Sequence, residues 1–162
     1  MADLSTIQRF LATDVIGVVG VRRDPKQFAN GVYRRLRDTG RTLVPVHPEA
    51  DAIEGDACVP TVDQLPGEAR ALLVMVNAER SGDVVRRFVD DRIGRGIEPG
   101  TLTVWLHRGA GAGAVSDEAV QACRDAGVPV VDGACPLMFL EPVRGIHRLH
   151  RFMIRRRLTG AT

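Results

Sequence analysis

The sequence predicts a doubly wound α/β fold of three layers, with a five-stranded parallel sheet between two layers of helix. Three observations lead there. Short continuous apolar runs recur along the chain, as in strands covered on both faces. Segments with apolar residues at helical spacing lie between those runs. The connections are only a few residues long, and strands alternating with helices in this way imply parallel pairing and right-handed crossovers.

The elements follow in order. Residues 5–12 form a short amphipathic helix, with Ile7, Phe10 and Leu11 on one side and Asp3 or Ser5 placed to cap it. The first strand is 15–20. Residues 30–39 make the next helix, with Val32, Tyr33 and Leu36 on one face, and Gly40 ends it where a left-handed residue is often needed. Residues 42–46 are the second strand, closed by His47-Pro48. A loop over 49–60 turns at Ile53-Glu-Gly-Asp56, and 61–65 suits one helical turn.

The third strand is 71–76. A helix over 79–93 turns Val84, Val85, Phe88 and Val89 inward. The fourth strand is 102–106. Residues 116–126 are helical, with Ser116-Asp-Glu118 favouring the start and Gly127 the stop. The fifth strand is 128–131. A last helix is expected over 143–158.

A single domain over residues 1–162 accommodates these elements, and a chain of 162 residues can bury a core without disulfide or metal. Hydrophobic content of 44% and charged content of 26% suit a soluble globular protein. A net charge of +2 does not argue for nucleic acid. Of the 22 basic residues only Lys26 is not arginine, which fits biased codon usage or extensive anion recognition. Cys58, Cys123 and Cys135 have neither zinc-site spacing nor an even count, a pattern that suits a reducing cytoplasm. Residues 1–14 lack a signal-peptide core, and no window approaches the roughly 20 apolar residues of a membrane span.

In a doubly wound sheet, ligands sit at the carboxyl ends of the strands, where the strand order switches. Five segments occupy that rim: 20–26, 47–48, 77–81, 107–113 and 132–136. The first is the most telling. An apolar strand ends at Gly20, and Val21, Arg22, Arg23 and Lys26 follow before the helix that contains Asn30. A basic turn leading into a helix suits an anion, because backbone N–H groups and the positive helix end point at it. No GxGxxG can be written there, and His47 stands at the end of the second strand where a dinucleotide site has an acidic residue.

Pro48 forces His47 into an extended conformation, a shape that can cradle a nucleoside. The glycines after His107 and Arg108 permit close backbone approach. Cys135 has no readable base beside it, so a structural or ligand-contact role outweighs a nucleophilic one. Residues 144–157 hold six arginines, with Ile146, Leu149, Phe152 and Met153 at helical spacing. That is the outer face of a docked or dimer-forming helix, with a nucleic-acid or acidic-partner contact as the lesser reading.

The ordered set Val18-Val-Gly-Val-Arg-Arg23, Asn30-Gly-Val-Tyr-Arg-Arg-Leu36, Val44-Pro-Val-His-Pro48, Ile53-Glu-Gly-Asp56, Val104-Trp-Leu-His107 and Gly133-Ala-Cys-Pro136 resembles the CoA-binding domain proteins. These are stand-alone relatives of the CoA-binding domain of succinyl-CoA synthetase alpha subunits, and the resemblance spans roughly residues 14–140. It implies a Rossmann-like fold that binds coenzyme A through its ADP portion. It implies Gly20, Val21 and Arg22 at the phosphates, His47 and Pro48 near the nucleoside, and Val76 with Asn77 at the third strand end.

Two positions depart from the pattern: His47 stands where the family usually has Asn, and Gly133-Ala134 precede Cys135 where the synthetase has Pro-Asn. The synthetase's phosphohistidine machinery and second domain have no counterpart, so ligase chemistry does not carry over. The expected function is therefore non-catalytic binding of coenzyme A or an acyl-CoA in the cytoplasm, with Arg23, Lys26 and Asn30 added to the cofactor contacts. A homodimer is among the partner readings; nucleic acid and membrane are not favoured. Two alternatives stand beside it: an NAD(P)-binding enzyme or redox sensor, and an interaction protein acting through the arginine-rich tail.

Overall fold

In the computed structural model, which describes residues 3–108 and 113–140, strand β1 (Val15–Val19) sends Ile16 and Val18 into one apolar layer and Val19 into another. The same division runs along every long strand, as it must when successive side chains point to opposite faces. Helices α1 (Leu4–Leu11) and α2 (Phe28–Arg37) cover one face. Their Ile7, Phe10, Val32, Tyr33 and Leu36 pack on Ile16, Val18, Leu73, Trp105 and Val131. Helices α3 (Ala78–Gly94) and α4 (Asp117–Ala126) cover the other, with Val85, Phe88, Val89, Val120 and Cys123 on Leu72, Val74, Val104 and Leu106.

The remaining strands are β2 (Thr42–Val46), β3 (Ala52–Ile53), β4 (Asp56–Ala57), β5 (Ala71–Val74), β6 (Thr103–His107) and β7 (Val130–Ala134). Five of the seven form one parallel sheet in the order β2-β1-β5-β6-β7. This is the Rossmann-like α/β arrangement expected. The strand order reverses between β1 and β5, so that junction is the switch point. Met75 N–H donates to the Val19 carbonyl at 2.8 Å and holds the two strand ends together there.

Several boundaries differ from expectation. Helix α2 begins at Phe28, two residues before Asn30, without a side-chain cap on Gln27. The third strand stops at Val74, before Val76, because Asn77 opens α3. The fifth strand is displaced to Val130–Ala134, so Asp132 and Gly133 lie within it. The loop over 49–60 contains the antiparallel β3–β4 hairpin, whose turn is Glu54-Gly55 at φ +54° and +84°. Left-handed φ at both central residues is the geometry that matches the twist of a tight hairpin. The helix expected over 143–158 and the glycine run 109–112 lie outside the described residues.

Two buried groups show how layers are fixed. Trp105 is fully buried, meets Phe10 edge-on at 5.0 Å, and donates its indole N–H to the Ala134 carbonyl at 3.0 Å. Arg92 is fully buried on α3 and donates to the carbonyls of Pro66 at 2.8 Å and Leu65 at 3.0 Å. Its charge is matched by Asp91 at 3.0 Å. On the outer side of β2, Val59 bridges to Val46: its N–H donates to the Pro45 carbonyl and its carbonyl accepts from His47 N–H, each at 3.0 Å. Pro45 has no N–H to offer, which is tolerated because it faces away from β1.

Candidate functional site at the carboxyl edge of the sheet

The rim above β1, β2 and β5 is built from the loop 20–27, the end of β2 and the start of α3. Gly20 opens the loop at φ +104°, and a Cβ there would lie 2.6 Å from the Met75 carbonyl carbon and oxygen. Only glycine permits both the backbone angle and the approach. Val21 turns its side chain into the core at 1% exposure, so its backbone is what the rim presents.

Asn30 then fastens the loop. Its Oδ1 accepts the Arg22 N–H at 3.0 Å, and its Nδ2 donates to the Arg22 carbonyl at 2.7 Å. The same Nδ2 donates to Glu54 Oε1 at 2.8 Å. Asn30 is 1% exposed, so the structure places it beneath the loop. The Arg22 amide is thereby engaged with protein, and Arg22 faces the rim through its exposed side chain.

The three cations of the loop differ. Arg23 Nη2 donates to the Glu49 carbonyl at 2.6 Å and lies 3.8 Å from the Glu49 carboxylate. It latches the loop to the segment after β2. Arg22 and Lys26 make no side-chain hydrogen bond or ion pair with a described residue, and both are exposed. The backbone of Lys26 is held by Asp24, whose Oδ1 accepts its N–H at 3.0 Å. Two positive charges are thus presented on a loop whose main chain is tied down.

The other expected residues are grouped around it. His47 is half-buried, and its Nδ1 accepts the Glu49 N–H at 3.2 Å, which leaves Nε2 as the protonated nitrogen of the neutral ring. Pro48 beside it is exposed. Val76 is half-buried, and Asn77 is the N-cap of α3 without engaging its side chain in the cap. Gly20, Val21, Arg22, His47, Val76 and Asn77 therefore converge on one edge, while Arg23 and Asn30 support it.

Sequence reasoning missed three contributors. Phe28, 56% exposed, tilts against His107 at a ring separation of 5.5 Å and reaches from loop one towards β6. Met75 receives Gly20. Glu54 completes the hydrogen bonds of Asn30 and also accepts from Arg34 at 2.7 Å. None of these is signalled locally, since each depends on a partner distant in sequence. The Glu54 carboxyl sits below the usual range, first because Asn30 donates to it and then because of Arg34.

Cys135 follows β7 at 2% exposure, and burial pushes its thiol up to about 11. Cys123 is pushed up to about 12 for the same reason. Thiolate formation is disfavoured at both. Among the described residues no group of His, Cys, Asp and Glu is arranged to hold a metal. No helix among them is long and apolar enough to cross a membrane.

A parallel α/β sheet with a basic, glycine-opened loop at its switch point defines a doubly wound, Rossmann-like protein whose candidate site lies where that class holds its ligands. Comparison with known proteins narrows the class. The family model described as CoA binding domain matches residues 14–141, and the chain belongs to that family.

The uncharacterized protein YneT of Bacillus subtilis is 25% identical over 120 residues, covering 74% of this chain and 80% of YneT. A conserved hypothetical protein of Pyrococcus furiosus superposes with a TM-score of 0.62 at 27% identity, over 74% of this chain and 93% of its own. The dinucleotide-forming acetyl-coenzyme A synthetase 1 of Ca. Korarchaeum cryptofilum shares the fold at a TM-score of 0.61 and 21% identity. There the match covers 76% of this chain and 27% of the synthetase.

Proposed function

We propose that this protein binds coenzyme A or an acyl-CoA, without catalysing a reaction on it, and that it grips the ADP portion at the carboxyl ends of β1, β2 and β5. The observation that carries this reading is the pair of cations, Arg22 and Lys26, without a side-chain partner among the described residues, on a loop pinned at the switch point. A ligand with several phosphates suits such a loop, because charge-assisted hydrogen bonds are about twice as strong as neutral ones. His47 and Pro48 lie beside the loop on the β2 side, where the nucleoside would rest.

Membership of the family supports the choice of coenzyme A. The Korarchaeum synthetase, which has this fold, is described in complex with phosphate and ADP. A role without catalysis is supported by the buried thiols of Cys123 and Cys135, whose raised pKa values oppose nucleophilic use. The whole chain acts as one domain in this reading, in a reducing cytoplasm that keeps its free cysteines as thiols.

Calorimetry with coenzyme A, dephospho-coenzyme A, NAD and NADP tests the proposal. Coenzyme A should bind most tightly. If Arg22 or Lys26 meets the 3′-phosphate, dephospho-coenzyme A should bind about tenfold more weakly, the value of one lost charge-assisted contact. Tighter binding of NAD than of coenzyme A, or no binding of coenzyme A at millimolar concentration, would overturn it.

A further inference from the structure

We infer that Glu54, in the β3–β4 turn, is a positioning residue for the cofactor loop: it holds Asn30, and through Asn30 the Arg22 peptide, in the conformation that receives the ligand. The inference rests on the coenzyme A reading of the site. Four observations meet at this residue.

The first is the chain of contacts. Glu54 Oε1 accepts from Asn30 Nδ2 at 2.8 Å, and Asn30 clasps both the N–H and the carbonyl of Arg22 at 3.0 and 2.7 Å. An amide side chain can rotate to present either end, so its two ends need partners that tell oxygen from nitrogen. The Glu54 carboxylate accepts only, and it therefore fixes the nitrogen of Asn30 on the Arg22 carbonyl side.

The second is burial. Asn30 is 1% exposed and the Glu54 side chain 10% exposed. Neither is placed to meet a ligand in solvent, so their effect on binding passes through Arg22.

The third is conformation. Glu54 holds φ at +54°, a region that suits glycine, immediately before Gly55 at +84°. Glycine would serve the turn better than glutamate. The turn does not depend on the carboxylate for its anchorage either. Arg37 donates to the Glu54 carbonyl at 2.7 Å and to Asp56 at 2.9 Å, and Tyr33 donates to Asp56 at 2.6 Å. Main chain and neighbour hold the hairpin, while the Glu54 side chain is directed to Asn30.

The fourth is charge. A bare carboxylate beside a phosphate loop would oppose the ligand. Arg34 lies 2.7 Å from the same oxygen and offsets that charge locally. The hairpin thus lends the loop a hydrogen-bond acceptor without lending it a repulsive field.

The test uses the full chain and the variants Glu54→Gly, Glu54→Ala and Glu54→Gln, with coenzyme A as titrant and exchange of the Arg22 amide hydrogen as a ligand-free readout. Glu54→Gly and Glu54→Ala should each weaken coenzyme A binding about tenfold and speed Arg22 exchange about tenfold, as expected for one lost positioning contact. Glu54→Gly should do so with a melting temperature no lower than that of Glu54→Ala, separating loop order from global stability. Glu54→Gln retains an acceptor and should stay within about threefold of the parent in both measures.

Parent-like affinity and parent-like Arg22 exchange in Glu54→Gly would overturn the inference. If the parent itself fails to bind coenzyme A, the functional reading falls. The hold of Glu54 on the loop is then decided by amide exchange alone, with unchanged protection of Arg22 counting against it.

Discussion

Tyr33 donates its phenolic hydrogen to Asp56 Oδ2 at 2.6 Å, joining a fully buried ring on α2 to the β3–β4 hairpin. Burial, and then the hydrogen bond to Asp56, raise the Tyr33 hydroxyl above its ordinary value of 10.0. The folded state therefore favours the protonated form. That contribution is complete below pH 10 and is lost as pH rises above it, because only the unfolded chain then gains by ionising. Tyr33→Phe should cost about 2 kcal/mol at neutral pH, typical of a hydrogen bond to a charged group. It should also flatten the decline of stability above pH 10, where the native residue resists ionisation. Urea titrations at several alkaline pH values check both statements.

Two glycines should respond to alanine with opposite signs. Gly20→Ala puts a Cβ 2.6 Å from the Met75 backbone at φ +104°, so both clash and backbone strain apply. A loss of about 3 kcal/mol is expected, together with loss of coenzyme A binding. Gly31 lies inside α2, and a Cβ there meets nothing within 4 Å. Gly31→Ala should raise stability by about 0.5–1 kcal/mol. Denaturant midpoints of the two variants distinguish them directly.

The three thiols should label unequally. Cys58 is half-buried, whereas Cys123 and Cys135 are at 0% and 2% exposure with thiols pushed up to about 12 and about 11. In the native protein at pH 7 a maleimide should modify Cys58 first, and the other two only after unfolding. Mass spectrometry of the labelled peptides measures the order. Fast labelling of Cys135 would favour the redox-sensor alternative.

Arg92 should prove costly to remove. Replacement by Met keeps much of the volume but leaves the Leu65 and Pro66 carbonyls without their donor, while Asp91 keeps its ion pair with Arg95. Arg92→Met should destabilise by about 3 kcal/mol, as when buried carbonyls are left without their donor. Arg92→Lys should recover only part of this, since one ammonium cannot reproduce the planar fork. Thermal melts of both variants provide the comparison.

The sheet was legible because its strands are covered on both sides. Val15–Val19 and Ala71–Val74 read as unbroken apolar runs, and burial is what makes them so. Helix ends were less legible where no cap marks them. Gln27 makes no side-chain cap bond, and α2 starts two residues earlier than the spacing of Val32, Tyr33 and Leu36 suggested. Ser116 shows the converse: it caps Ala119 N–H at 3.1 Å, and α4 begins beside it as expected.

For the candidate site, the sequence located the loop but not the division of labour within it. Arg22 and Arg23 are chemically identical neighbours, and only the fold turns one towards Glu49 and leaves the other without a side-chain partner among the described residues. Asn30 is a cofactor contact on the sequence reading. Its partners within the protein, the Arg22 peptide and Glu54, are 8 and 24 residues away and bear no periodic relation to it. The hairpin strands are two residues each, too short to show alternation, so the turn at Ile53-Glu-Gly-Asp56 was visible and its reach to the loop was not.

The bridge from Val59 to β2 has a consequence for self-association. With Val59 paired to Pro45 and His47, and with Pro45 lacking an N–H, the carboxyl half of the β2 margin is already occupied among the described residues. That half of the margin is blocked to strand addition, beside the nucleoside end of the proposed site. Strand addition by a second copy at that end of β2 would first have to displace Val59.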